Sequence, residues 1–341
     1  MKSASLPIAF AAFASLAQIG GALAQSPEDI LAAAKAEGEV LVYTSSPDAE
    51  MEAKIAAFEA SFPEIRVTHI RLPSGQLFTR FISEHDAGVT QADLLAAHSS
   101  ALFQERPELF VPLTPENLPV LGEQQIIVTP ENASYQIFSN DIQLVTYNTD
   151  TVSQDDLDAH LASWEDLADP RWKNKVALVD PRNSANQVSF LLNMERLYGD
   201  EWFTGFMANE PEIVGTASSA SQQVAAGAFD ILVPTIPSQS AAVREQGAPI
   251  GMYSPEGLSH VTSAGFAVPE GAAHKNAALV FANWLLSPEA QVIQCEFSGV
   301  PNIGIEDAAC AKLLPEEFTP ARDVIPAEDA ERVFGLVGLQ P

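Results

Sequence analysis

Hydroxyl and amide side chains recur where this sequence is expected to turn out of a strand. Thr44, Ser45 and Ser46 follow one extended run, Ser74 and Gly75 follow a second, and His98 and Ser99 follow a third. Farther on, Arg182, Asn183, Ser184 and Ala185 close a fourth run. Ser218 and Ser219 close a fifth, and Thr235 and Ser238 close a sixth. Side-chain oxygens of this kind cap helix starts by accepting free backbone N–H groups. Several such starts aimed at one space also form an anion site, because N–H donors and helix dipoles favour negative charge without any net positive charge. Arg182 could add one formal cation there or serve as an ordinary salt bridge. Of the six histidines, His98 is the one expected at a strand end facing a cleft. Apart from Thr44, which ends its strand, these fourteen positions are the candidate ligand-binding residues, and their chemistry fits a small anionic solute.

Catalytic constellations are absent from the sequence. There is no G-x-S-x-G, H-E-x-x-H, G-x-x-x-x-G-K-[ST] or C-x-x-C, and no two histidines stand four apart. No enzyme activity, resident cofactor or metal site is expected. The doublets Asp155–Asp156 and Glu316–Glu317 read as solvated faces, and Trp172, Trp202 and Trp284 as core residues.

The positioning elements alternate. Strands are expected over 39–44, 65–72 and 92–97, with helices over 48–61 and 76–84 between and after them. A second series has strands over 176–179, 212–215 and 229–233, and helices over 186–197 and 221–226. Extended stretches over 135–138 and 142–148 lie between the two series, another over 262–268 follows the second, and an amphipathic helix covers 273–286. This pattern predicts an α/β protein with two lobes, each a mainly parallel sheet flanked by helices, joined by crossing strands. Ligands of open α/β sheets bind beyond the C-terminal strand ends, so the expected site is the cleft between the lobes. The expected division is lobe 1 over 25–138 and 265–300, lobe 2 over 139–264, and a tail over 301–341 packed on both.

Composition agrees with a folded, exported binder. With 47% apolar residues among 341, the chain is too apolar for disorder and long enough for about two domains. Forty-five acidic residues against 17 basic ones give a formal charge of −28, which argues against nucleic acid or an anionic membrane as partner. Lys2, the apolar run that follows it and the Ala22-Leu23-Ala24 pattern read as a cleavable secretory signal peptide over 1–24. The expected location is therefore the periplasm, as a monomer. Cys295 and Cys310, the only cysteines, suit a disulfide in that compartment. Two free thiols are the alternative.

Several segments in their order resemble one family. VLVYTSSPDAEMEAKIAAFEASFPEIRVTHIRLPSGQLFTRF, QADLL, LVTYNTD, DPRWKNKVALVDPRNSA, VAAGAFDILV and NWLLSPEAQ are similar to ABC-transporter solute-binding proteins of the ferric-iron-binding class, which are type 2 periplasmic binding proteins. The resemblance runs over roughly 27–300. It implies two lobes that close on a solute and deliver it to an inner-membrane ABC permease. In iron-binding members a His after the first strand, a Glu after the third and two adjacent Tyr in the second lobe hold Fe(III). Here those positions fall on Pro47, His98 and Pro237–Ser238. The family's anion-binding turn falls on Asn183, Ser184 and Ala185. The resulting expectation is a phosphate-, phosphonate- or carboxylate-bearing organic anion as cargo. A ferric carrier using exogenous anions is the alternative, and an exported hydrolase the further one.

Overall fold

The computed structural model describes residues 25–183, 185–256, 259–297, 300–305, 318–320 and 324–340. The expected leader over 1–24, Ser184, Cys310 and the Glu316–Glu317 doublet lie outside the described residues. Helix α1 (Pro27–Glu37) opens the fold. A reciprocal Ser26–Asp29 capping box starts it, and Gly38, in the left-handed region at φ 75°, ends it. Then come β1 (Glu39–Thr44), α2 (Asp48–Ser61), β2 (Arg66–Arg71), α3 (Ser74–Asp86) and β3 (Leu94–Ala97). β1 pairs in parallel with β2 on one side and β3 on the other, so the three C-terminal ends share one sheet edge.

Short helices α4 (Ala101–Glu105) and α5 (Val120–Glu123) lead to β4 (Gln136–Ile142) and β5 (Leu144–Asn148). The second α/β series follows: α6 (Gln154–His160), β6 (Val176–Val179), α7 (Ala185–Ala208), β7 (Glu212–Val214), α8 (Ala217–Ala225), β8 (Ile231–Thr235), α9 (Pro237–Glu245) and β9 (Ile250–Tyr253). The chain returns through β10 (Ser259–Ala267), α10 (Lys275–Leu285) and α11 (Pro288–Glu296). It closes with β11 (Val300–Pro301), β12 (Phe318–Pro320) and α12 (Ala327–Leu336).

Two sheets result, as the α/β expectation requires. One runs β11-β4-β10-β3-β1-β2, with β12 paired to β10, and the other runs β7-β6-β8-β5-β9. In the second sheet β6 is parallel to both β7 and β8, which again gathers three strand ends on one edge. The outward crossing is abrupt: β4 stays in the first sheet through Ile142, Gln143 follows, and β5 is already in the second. The expected lobe limits at 138/139 and 264/265 fall inside β4 and β10, which pair within the first sheet.

Each sheet is covered on both faces. Phe58 packs edge-on against Phe281 and Trp284 beneath α1, α2, α10 and α11. Phe81, Phe103, Phe110 and Tyr135 fill the opposite face. In the second lobe Trp202 stacks on Phe206 at 4.8 Å, and Trp164 meets Phe190. Burial of each such ring stabilises by about 2 kcal/mol. Trp172, Trp202 and Trp284 are all buried, as expected. Helix α12 packs Val333 and Val337 into the second-lobe core, while β12 belongs to the first sheet. Among the described residues no helix is long and apolar enough to cross a membrane.

Candidate functional site

At the C-terminal edge of β1, β2 and β3, Ser45 ties two turns together. Its Oγ accepts the His98 N–H at 2.9 Å and lies 3.0 Å from His98 Nδ1. The donor in the Oγ–Nδ1 contact follows the ring tautomer, and either way Ser45 holds Nδ1. Nε2 stands 3.9 Å from Asp141 Oδ2. The Asp141 carboxyl is pushed up to about 6, chiefly by burial and further by Glu50, against the opposing pull of His98 and Lys54. Lys54 is itself buried. Its Nζ donates to Glu50 Oε1 at 2.7 Å and to Gln294 Oε1, and lies 4.8 Å from the centre of the Phe138 ring. Burial lowers the Lys54 ammonium, and Glu50 opposes that shift. A chain of four titratable groups, Glu50, Lys54, Asp141 and His98, thus runs from the core to the sheet edge.

The remaining first-lobe candidates sit on the same edge with different roles. Ser46 is fully buried, its N–H donating to Thr44 Oγ1 and its Oγ unpartnered. Ser99 Oγ accepts the Ala101 N–H at 3.3 Å, a local turn bond. Ser74 and Gly75 begin α3, held near Thr44 by the bond from the Leu72 N–H to the Thr44 oxygen.

In the second lobe a cavity of about 200 Å³ opens at the ends of β6, β7 and β8. Asn183, Asn186, Gln187, Gly215, Thr216, Ala217, Thr235, Ile236 and Gln239 line it, together with Gln143 and Thr262. Three helices, α7, α8 and α9, start at this wall, each with N–H groups that no intrahelical carbonyl can accept. Thr262 comes from β10 of the first sheet, and its Oγ1 donates to the Asp141 main-chain oxygen at 3.4 Å. One residue therefore links the cradle to the His98–Asp141 pair.

The second-lobe candidates divide. Asn183 lines the cavity while its Nδ2 donates to the Gly215 oxygen at 2.7 Å. Thr235 lines it too, but its buried hydroxyl donates to the Leu144 oxygen and joins Thr146. Ser219 interlocks with the α8 cap Thr216 (Oγ to Oγ 2.8 Å). Ser218 and Ala185 are exposed in the first turns of their helices, and Ser238 is exposed in the first turn of α9. Arg182 faces Asp180 in a two-pronged pair, with contacts of 3.0 and 2.7 Å, so its charge is already matched. Asp141, Gln143, Gln187 and Thr216 were not among the expected contacts. Thr216 followed by Ser219 was the one local signal available. Among the described residues no group of three or more His, Cys, Asp or Glu could hold a metal ion.

The family model for bacterial extracellular solute-binding proteins matches residues 43–292. The chain belongs to that family. This solute-binding protein is 26% identical over 297 residues to iron uptake protein A1 of Synechocystis, covering 80% of this chain and 78% of the relative. Its fold is similar to that of a Trichodesmium IdiA/FutA protein crystallised with iron and citrate. The TM-score is 0.71 at 22% identity, covering 89% of this chain and all of the other. Iron-bound HitA of Pseudomonas aeruginosa is similar to the same degree, with a TM-score of 0.68 at 22% identity, covering 88% of this chain and 98% of that one. These likenesses establish the two-lobed binding-protein fold. In this solute-binding protein the positions that the resemblance assigns to the two tyrosines carry Pro237 and Ser238, at the start of α9.

Proposed function

We propose that this solute-binding protein is the periplasmic receptor of an ABC importer and that its cargo is ferric iron carried with an exogenous anion. The names of the relatives favour iron over the anion-only cargo that the sequence put first. The observation that carries the reading is the pairing of two unlike faces. The second lobe offers helix starts suited to an anion, and the first lobe offers His98 backed by Asp141. Because no tyrosine pair stands on α9, the anion's oxygens fill most of the metal's coordination, and His98 Nε2 is the protein donor nearest to it. No catalytic step is involved. The leader over 1–24 directs export, the Cys295–Cys310 pair closes as a disulfide there, and the closed lobes present the cargo to the inner-membrane permease.

The test is iron retained per chain by elemental analysis after gel filtration. Loading with ferric citrate is expected to leave about one iron per chain, and His98→Ala to reduce retention at least tenfold without unfolding, since His98 is partly exposed. No retained iron in the wild type would contradict the ferric reading. A second reading, an organic anion alone, is favoured by the lack of a three-ligand cluster among the described residues. Citrate binding with iron excluded would single it out.

A further inference from the structure

Two buried amide oxygens of the second-lobe cradle have no donor. Gln143, 2% exposed, stands between β4 and β5, and Gln187, 8% exposed, lies in the first turn of α7. Both line the cavity, and the Oε1 atom of each lacks a hydrogen-bond partner. The orientation of Gln143 is fixed from its other end. Its Nε2 donates to the Asn186 main-chain oxygen at 3.2 Å, so the atom left over is the acceptor. A buried acceptor without a donor is costly, and the neighbouring hydroxyls do not relieve it. Those of Thr216 and Thr235 are already engaged.

The same wall imposes a second condition. The starts of α7, α8 and α9 present donors and the positive ends of three helix dipoles. A bare carboxylate satisfies these donors but sets its own lone pairs against the two amide oxygens. An ammonium group would satisfy the oxygens but bring positive charge to three positive helix ends. A neutral hydroxyl beside a carboxylate meets both conditions, its one proton going to one amide oxygen or shared between the two. We infer that the cradle selects hydroxycarboxylates, with Gln143 and Gln187 as the specificity-determining acceptors of the ligand's hydroxyl proton. This inference rests on the proposed anion-borne cargo and narrows it to one class.

The experiment compares two iron-free acids of the same skeleton by isothermal titration calorimetry: citrate, and tricarballylate, which lacks the hydroxyl. The wild type is expected to bind citrate at least about tenfold more tightly, since a site built to pair a hydroxyl rejects the analogue without one. In Gln143→Met and Gln187→Met, which keep side-chain length but cannot accept, the ratio is expected to fall to about threefold or less. The readout is the citrate-to-tricarballylate ratio within each variant, and circular dichroism reports whether each variant is folded. Equal wild-type affinity for the two acids overturns the hydroxyl selection and leaves the anion cradle standing. A preference that survives in both folded variants overturns the role of the two glutamines. Binding of neither acid overturns this inference together with the anion cradle beneath it.

Discussion

Asp141 occupies a strand in which all seven residues are buried, and that burial outweighs the opposing pull of His98 and Lys54. Its carboxyl therefore titrates near 6 in the folded protein, above the ordinary 3.8. A proton is held more tightly by the folded chain than by the unfolded one. The associated stability is complete below the unfolded value and is lost as pH rises through the folded one. Between pH 4.5 and 7.5 the loss amounts to about 2 kcal/mol. Asp141→Asn removes this term. In urea denaturation the wild type should lose about that much against the variant across the interval, and a difference independent of pH would contradict it. This residue was illegible in the sequence for a physical reason. The expected extended stretches stop at 138 and resume at 142, and nothing local shows that the acidic side chain between them is buried beside a lysine and a histidine from elsewhere in the chain. Ser45 and His98 were legible because strand-end position is itself a local property. The real tie between them, a backbone N–H to a hydroxyl across 53 residues, was not.

At the scale of elements, α2 shows how a pattern can be right and its meaning incomplete. The periodicity places a helix over 48–61, as found, with Met51 and Phe58 inward. The same face buries Glu50 and Lys54, four residues apart, and Lys54 reaches α11 through Gln294. Removing one partner of a buried ion pair strands the other, at a cost of about 3 kcal/mol. Lys54→Met should cost about that much by chemical denaturation, and adding Glu50→Gln should recover at least half of it. A loss below about 1 kcal/mol would show that the pair does not hold α2 to α11. Elsewhere the limits moved for identifiable reasons. Helix α8 begins at Ala217, earlier than the expected 221, because Thr216 accepts the Ser219 N–H as its cap. Helix α7 runs past 197 to Ala208 because Gly199, at φ 69°, lets a second helical segment follow the first. Helix α9 is not among the elements the sequence predicts. Its opening, Pro237-Ser238-Gln239-Ser240, has the composition of a loop, and the Gln239 carboxamide that accepts the Ile236 N–H is what starts it.

For the whole molecule, the alternation of strands and helices was enough to give two α/β lobes. It could not give the order of strands in each sheet. That order depends on β10 returning between β3 and β4 after the entire second lobe has been built. The two crossings near Gln143 and ahead of β10 leave each sheet's parallel strand ends as a separate edge, joined through Thr262 and Asp141. On the proposed reading, this topology makes one cargo site out of two chemistries, a donor-rich cradle on one lobe and an imidazole on the other. A ligand that engages both faces favours the closed form through its differential affinity for it. The direct measurement is a crystal structure of the protein loaded with ferric citrate, with an anomalous map at the iron edge. The account predicts an iron peak within bonding reach of His98 Nε2, and carboxylate oxygens against the starts of α7, α8 and α9. An iron peak remote from His98, or an anion seated away from those helix starts, would contradict it.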